Sequence, residues 1–220
     1  MDERFPPEVR CELDGWRLFW AELVRAPGDA GALVAARSAA GVQARAVYRL
    51  ETLAEHPTVA AVRRLFRRAG CDPTRYRAAS EALLRRLLRG EEIPPIHPFV
   101  DVGNCVSAAL AVPVCVADAD RVEPPLVWRA GRPGETMLSL KGPFNVEGKP
   151  LLLDSRGPAD VPITGAERVK VTPSTARAWL VAYLPEGVVD PARARAALAA
   201  VVEGARVVSS LRTGVTPAPG

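Results

Sequence analysis

Histidine and lysine are both scarce in this sequence, and the histidine shortage excludes one class of enzyme. The 220 residues include two histidines and three lysines, against 26 arginines. His56 and His97 each precede a proline, which restricts their backbones to extended conformations, so we expect no histidine-based hydrolytic triad. Aromatic residues make up only 5% of the chain, but 48% is hydrophobic and 25% charged, as in ordinary globular proteins. We therefore expect a folded core rather than a fibrous or disordered chain.

Little in the sequence indicates a metal, a disulfide framework or a membrane. The four cysteines, at positions 11, 71, 105 and 115, have no short paired spacing and are expected to be reduced thiols. The longest apolar run, 108–117, contains Pro113 and is far shorter than the roughly 20 residues of a membrane-spanning helix. The charged N-terminus lacks the layout of a secretory signal. We expect a cytoplasmic protein with no metal, no other cofactor and no membrane partner.

Three further motifs are incomplete or ambiguous. There is no Gly-x-Ser-x-Gly elbow, and segment 142–149 is no phosphate-binding loop because five residues separate its glycines and Pro150 replaces the metal-binding hydroxyl. Asp118 and Asp120 suit either a cation site or a solvated turn, and we favour the turn. Cys115 is either a nucleophile or a structural thiol, and we favour the thiol because no partner is evident that would lower its pKa.

Local patterns predict helices and strands that are grouped rather than strictly alternating. The predicted helices are one or two from an N-cap at Asp29 to Glu55, one from Pro57 to Gly70, one starting at Asp72-Pro73, one from Ser80 to Gly90, Val100–Leu110, and Pro191–Gly204. The predicted strands are a hairpin of Val9–Leu13 and Trp16–Val24 around Asp14-Gly15, then Val112–Ala117, Leu126–Ala130, Thr136–Leu140, Leu151–Asp154, Arg168–Thr172 and Ala178–Leu184. This order favours an α+β fold, with one domain over 1–212 and a flexible tail over 213–220.

The positive charge is concentrated in one segment. Between Arg63 and Arg89, nine arginines and two acidic residues give a net charge of +7, whereas the whole chain carries +4. Several of these arginines are four residues apart, so they repel one another unless an anionic partner neutralises them. Charge alone leaves a solvated face and a nucleic-acid surface as equal alternatives.

Three long stretches resemble one known family. They are YRAASEALLRRLLRGEEIPPIHPFVDVGNCVSAALAVPVCVADADRV from Tyr76, then RAGRPGETMLSLKG, then TGAERVKVTPSTARAWLVAYL. The sequence is similar over about residues 60–185 to the B3/B4 domain, the amino-acid-editing domain of the phenylalanyl-tRNA synthetase beta subunit, which also has freestanding relatives. The resemblance implies a layered α+β fold with mixed, short-stranded sheets and packed helices.

The resemblance also implies a function and a set of site residues. The family's domain binds the 3′ end of a mischarged tRNA and hydrolyses the ester, so a freestanding domain would bind aminoacyl-tRNA and deacylate it in trans. The chain is too short for a complete synthetase. The family's Thr-Asn pair falls on Gly103 and Asn104, its pocket histidine on Cys115, and the glutamate of its Gly-Gly-Glu segment on Glu167.

These correspondences define the expected site and its alternatives. The expected catalytic residues are Glu167 and Asn104, the expected substrate pocket contains Gly103, Cys115, Gly165 and Ala166, and the expected tRNA-binding residues are Arg64, Arg68, Arg85, Arg86 and Arg89. Read without the family, Asn104 is a helix cap and Glu167 a solvated side chain. Because the Thr and His equivalents are missing, the alternative function is an inactive tRNA, RNA or amino-acid binding module of the same fold. A protein-interaction domain is a third possibility.

Overall fold

The computed structural model describes residues 5–26 and 30–216, which form five α-helices and eleven strands. The helices are α1 (Ala30–Val47), α2 (Pro57–Ala69), α3 (Ala79–Leu88), α4 (Pro98–Leu110) and α5 (Pro191–Ala205). The strands are β1 (Val9–Cys11), β2 (Trp16–Arg25), β3 (Val114–Asp118), β4 (Leu126–Ala130), β5 (Thr136–Ser139), β6 (Gly142–Asn145), β7 (Pro150–Asp154), β8 (Gly157–Val161), β9 (Thr164–Gly165), β10 (Arg177–Pro185) and β11 (Val208–Val215). Short 3₁₀ helices occupy Leu53–Glu55, Ala119–Arg121 and Glu167–Val169.

The strands form two main sheets and a separate hairpin. The larger sheet has the order β1-β4-β7-β8-β9, in which only the β1-β4 pair is parallel. The second sheet is antiparallel, with the order β11-β2-β10-β3, and β5 pairs with β6 alone. Helices that pack beside mixed, short-stranded sheets confirm the predicted α+β class.

The four-stranded sheet lies between two hydrophobic cores because its central strands are apolar on both faces. Side chains alternate across a strand, and in β10 Trp179, Val181 and Tyr183 enter one core whereas Leu180 and Leu184 enter the other. The first core is shared with the five-stranded sheet, and the second with α4 and α5. The molecule is therefore layered as helices, sheet and sheet.

Most predicted helices are confirmed, because their end signals are local. Helix α2 begins at Pro57, as Pro at the first helical position predicts, and ends before Gly70, whose φ of 100° suits glycine. Helices α4 and α5 also lie where the sequence places them. Asp29, the predicted cap of α1, lies outside the described residues.

Two predicted helix starts are wrong. Asp72 does not start a helix, because its Oδ1 accepts hydrogen bonds from the Thr74 backbone N–H at 2.9 Å and from the Thr74 hydroxyl at 2.7 Å, which closes a turn. Ser80 does not cap α3, because the helix begins at Ala79 and Ser80 is buried inside its first turn.

Strand partners differ most from the prediction, since pairing depends on distant residues. Gly15 does support a turn, with φ of 80°, but the strands on either side of it join different sheets and form no hairpin. Segment 168–172 is not a strand and instead overlaps a 3₁₀ helix. Four further strands, β6, β8, β9 and β11, carry no pattern that predicted them from the sequence.

The C-terminal strand extends into the predicted tail. Strand β11 continues to Val215, and the Thr216 N–H donates to the Leu18 carbonyl at 3.0 Å, so the chain is ordered beyond the predicted tail start at 213. Residues 217–220 lie outside the described residues. None of the helices in the described ranges is both long and apolar enough to cross a membrane.

Candidate functional site

A cavity of about 130 Å³, named the pocket below, opens between α4, β3 and the β8-β9 hairpin. Four residues that the sequence analysis assigned to the site line it, namely Gly103, Asn104, Cys115 and Gly165. An apolar cavity of about 150 Å³ is known to accept a benzene molecule. The pocket therefore has room for one small side chain or a comparable group.

Gly103 brings helix α4 close to strand β3. A Cβ atom on Gly103 would lie 2.8 Å from Cγ2 of Val116, closer than real Cβ contacts, so a larger residue here requires Val116 to move. Gly103 thus permits close helix-to-sheet packing, and a side chain there would meet Val116.

Asn104 lies in the second turn of α4 and reaches the pocket. It is not a helix cap, because His97 holds that position, with its Nδ1 accepting from the Phe99 N–H at 3.3 Å. Within the described residues, the Asn104 side chain has no hydrogen-bond partner and is partly exposed. Its amide is available to a ligand as donor and acceptor.

Asp160, on β8, is a pocket residue that the sequence analysis missed. Its side chain is 3% exposed, and its Oδ2 accepts a hydrogen bond from the Tyr183 hydroxyl at 2.5 Å. Burial raises the pKa of Asp160 to about 7, although hydrogen bonds from Cys115, Tyr183 and the Val161 backbone favour the charged form. The described residues include no lysine or arginine that pairs with this carboxyl group. Asp160 is thus a buried acid that exchanges its proton near neutral pH.

Cys115 is a hydrogen-bond donor to Asp160 rather than a nucleophile. Burial, and then the charge of the neighbouring Asp160, raises the thiol pKa well above its usual value. A protonated thiol is a poor nucleophile. All four cysteines, including this one, are free thiols.

Tyr183 holds the buried carboxyl group in place. The ring is fully buried and stacks on Trp128 with centroids 4.8 Å apart and an interplanar angle of 27°. Burial raises the pKa of the Tyr183 hydroxyl well above its usual value, so the group stays protonated and donates to Asp160. Neither Tyr183 nor Asp160 carried a motif in the sequence. The only signal was a lone acid inside the apolar stretch 159–163.

Two predicted site residues lie outside the pocket. Ala166 is buried, and its N–H donates to the Ala159 carbonyl at 3.1 Å. Glu167 lies on the 3₁₀ helix after β9, where its side chain is 37% exposed and forms an ion pair with Lys170. Glu167 is therefore near the pocket in sequence but does not line it.

Other polar groups considered for chemistry are held by protein partners. Asp118 is buried and accepts from the Thr175 hydroxyl at 2.7 Å, so a solvated turn is wrong for this residue. Asp120 is exposed and pairs with Arg177 at 2.5 Å. In the described ranges, no three His, Cys, Asp or Glu side chains are placed to hold a metal ion.

A second cavity, of about 710 Å³, lies elsewhere in the described part of the chain and carries less chemistry. Its charged residues include Arg37 and Asp101, which pair with each other at 2.5 Å, and Asp101 also accepts from the Ile96 N–H. One wall contains Ala26, next to residues 27–29, which lie outside the described part of the chain. We therefore assign the candidate site to the smaller pocket.

The arginine-rich segment divides into structural and exposed residues. Arg85 is structural, because its Nε pairs with buried Glu81 at 3.1 Å, as do Arg63 at 3.0 Å and Arg77 at 3.4 Å. Arg86 pairs with Glu91 at 2.9 Å and remains about half exposed. The other three predicted tRNA-binding residues, which are Arg64, Arg68 and Arg89, are exposed and form no ion pair with a described residue.

Comparison with known proteins identifies the family. The chain is 32% identical over 102 residues to the phenylalanine–tRNA ligase beta subunit of Bartonella henselae, a match that spans 45% of this chain and 13% of that subunit. The crystal structure of an N-terminal fragment of the phenylalanyl-tRNA synthetase beta-subunit from Pyrococcus horikoshii matches at 15% identity and a TM-score of 0.45, covering 96% of this chain and 54% of that one. The family model of the B3/4 domain matches residues 61–203, which agrees with the resemblance seen over about 60–185. Because that match covers more than half of the sequence, this chain belongs to the B3/4 domain family.

Proposed function

We propose that this chain is a cytoplasmic, freestanding tRNA-editing domain that binds aminoacyl-tRNA and hydrolyses a mischarged ester in trans. One observation carries the proposal. Asn104, which keeps the family's residue, and Cys115 and Gly165, which fall on positions of the family's editing site, line the same cavity as the buried acid Asp160, and this cavity is the size of a small side chain. Such a cavity suits the aminoacyl end of a tRNA, with apolar walls for the side chain and a few polar groups for orientation.

The pocket supplies groups that ester hydrolysis needs. The free Asn104 amide can hold the amino acid or the terminal ribose, and an acid with a pKa near 7 can move a proton at neutral pH. Water and the tRNA supply the remaining reactants, so no metal or cofactor enters the proposal. Glu167, which is partly exposed and follows the pocket residue Gly165 by two positions, is a second candidate to orient water or the α-ammonium group.

A path for the tRNA backbone starts at the pocket. Helix α3 begins at Ala79, which lines the pocket; Arg86 on this helix and Arg89 at its C-cap lie about 10 to 15 Å farther along the axis at 1.5 Å per residue. Arg64 and Arg68 extend the exposed positive charge onto α2. Arginines at such positions neutralise phosphates and release counterions, which makes binding salt-dependent.

Deacylation of a panel of correctly and incorrectly charged aminoacyl-tRNAs tests the proposed function. We expect wild-type protein to release selected amino acids, and Gly165→Ala to release them more slowly, since its methyl group would lie 3.6 Å from Asp160 Oδ1 and 3.9 Å from Cys115 Sγ. The matched control is Gly204→Ala, because a Cβ atom there contacts nothing within 4 Å. We expect the deacylation rate to fall at least tenfold in Gly165→Ala and to stay unchanged in Gly204→Ala.

The same experiment separates the alternative functions. Salt-sensitive tRNA binding without release from any member of the panel would favour the binding module, for which the protonated Cys115 in place of the family's histidine is the specific support. Absence of both tRNA binding and hydrolysis would favour the protein-interaction domain. Equal rates for Gly165→Ala and wild type would remove the pocket from the reaction.

A further inference from the structure

The pocket contains one carboxyl group among the described residues that line it, and this group has unused hydrogen-bonding capacity. An ionised carboxylate has about four acceptor positions. The protein supplies three donors to Asp160, namely the Tyr183 hydroxyl, the Cys115 thiol and the Val161 N–H. About one position therefore remains for a water molecule.

Oδ1 of Asp160 lies beside Gly165, and both residues line the pocket. A Cβ atom on Gly165 would lie 3.6 Å from Oδ1 of Asp160, in ordinary contact, so the glycine leaves space directly in front of this oxygen. The other oxygen, Oδ2, accepts the hydrogen bond from the Tyr183 hydroxyl at 2.5 Å. A water beside Oδ1 would lie among the apolar walls where the ester is expected.

From this geometry we propose that Asp160 is the general base of the hydrolysis and that Tyr183 is its positioning residue. The inference rests on the proposed function and deepens it, because it assigns the proton transfer to a residue of this chain that does not match the family's Thr, Asn, His or Glu positions. It requires no group that the chain, the water and the tRNA do not supply.

The reaction step balances with these groups alone. Asp160 Oδ1 takes a proton from water as the water oxygen forms a bond to the carbonyl carbon of the ester. The bond between that carbon and the ribose oxygen then breaks, and the ribose oxygen takes the proton back from Asp160. The products are the free amino acid and a tRNA with a free terminal hydroxyl, and Asp160 returns to its ionised form.

The pH dependence of deacylation tests the role of Asp160. With a substrate that the wild type cleaves, we expect the rate to rise about tenfold per pH unit below about pH 7 and to become constant above it. Asp160→Asn should lower the rate by about 10² to 10⁴-fold and abolish this rise, while tRNA affinity is retained. The control, Asp14→Asn, makes the same change on an exposed turn and should match the wild type.

Tyr183→Phe provides a second test, which measures the midpoint pH of the rate profile. This midpoint would not change if Asp160 had only a structural role. The variant keeps the ring packing but removes the hydrogen bond that favours the ionised carboxylate, so the midpoint of the rate profile should move to higher pH. An unchanged midpoint in a folded Tyr183→Phe protein would contradict the assignment. The Tyr183→Phe test remains valid even if the Asp160→Asn protein does not fold.

The failures of the two proposals are distinguishable. If the wild type hydrolyses no member of the panel, both the editing function and the role of Asp160 are overturned. If the wild type is active and Asp160→Asn shows the same rate and profile, only the role of Asp160 is overturned. Loss of turnover in Glu167→Gln together with normal turnover in Asp160→Asn would assign the base to Glu167 instead.

Discussion

Two effects act in opposite directions on the Asp160 carboxyl group. Burial away from water disfavours its charge, while the hydrogen bonds from Tyr183 and Cys115 favour it. The first effect is larger, so the folded protein holds a proton that the unfolded chain would release well below neutral pH. A buried carboxyl group with a raised pKa stabilises the fold less than an exposed carboxyl group does. The proposed proton transfer at neutral pH is a functional reason for burying Asp160.

Stability should therefore depend on the ionisation of Asp160. Below about pH 4, Asp160 is protonated in both the folded and the unfolded protein. Between about pH 4 and 7, only the unfolded chain releases the proton. The free energy of unfolding therefore falls as the pH rises through this range. Three pKa units correspond to about 4 kcal/mol as an upper limit. Urea unfolding of wild type and Asp160→Asn across this range isolates the effect, because other acids are common to both. A constant difference between the two proteins would disprove the raised pKa.

The buried carboxylate of Glu81 links helix α3 to helix α2. Glu81 is 1% exposed and accepts from Arg63 on α2 and from Arg85 one turn farther along α3. The arginine side chains reach partial solvent exposure, between 16% and 42% for the three partners, so they keep some hydration while the carboxylate does not. Because Ala79 at the start of α3 lines the pocket, this cluster also fixes one pocket wall.

Removing the buried charge should destabilise the protein. Glu81→Gln leaves three arginines without their anion, and we expect the free energy of unfolding to fall by about 1 to 3 kcal/mol, less than for a fully buried pair because the arginines can turn to water. Chemical denaturation measures the change. Glu203→Gln, on the exposed face of α5, is the matched control and should lie within about 0.5 kcal/mol of wild type. A similarly small effect in both variants would show that Glu81 contributes little to stability.

What the sequence could predict depended on how local each signal is. Helix ends such as Pro57 and Gly70 were found because a few neighbouring residues determine them. The hairpin around Gly15 was wrong because β2 pairs with β10 and β11, which lie more than 150 positions farther along the chain. In the pocket, the resemblance found Asn104, Cys115 and Gly165, whereas Asp160 was missed because its burial results from two sheets packing together.

At the level of the whole molecule, exposed arginines on α2 and near the C-terminal end of α3 form the proposed contact surface for the tRNA backbone. Replacing Arg64, Arg68, Arg86 and Arg89 by Ala should weaken tRNA binding and reduce the slope of log K against log salt by about 0.7 to 0.9 per lost phosphate contact. A control with four exposed arginines elsewhere, Arg10, Arg156, Arg193 and Arg195, makes the same change in net charge. Binding titrations at several salt concentrations compare the two. Equal slopes would mean that net charge alone attracts the tRNA.

The pocket lies at the contact between the two main sheets. Asp160 belongs to the five-stranded sheet, while its donors Cys115 and Tyr183 belong to the four-stranded sheet. Asp160 therefore becomes buried and hydrogen-bonded only where the two sheets meet. Under the proposed function, a nascent chain acquires its general base only when the sheets have docked, so a partly folded molecule would bind RNA through its arginines before it could hydrolyse the ester. Substitutions far from the pocket that shift one sheet against the other should then reduce turnover while leaving RNA affinity intact.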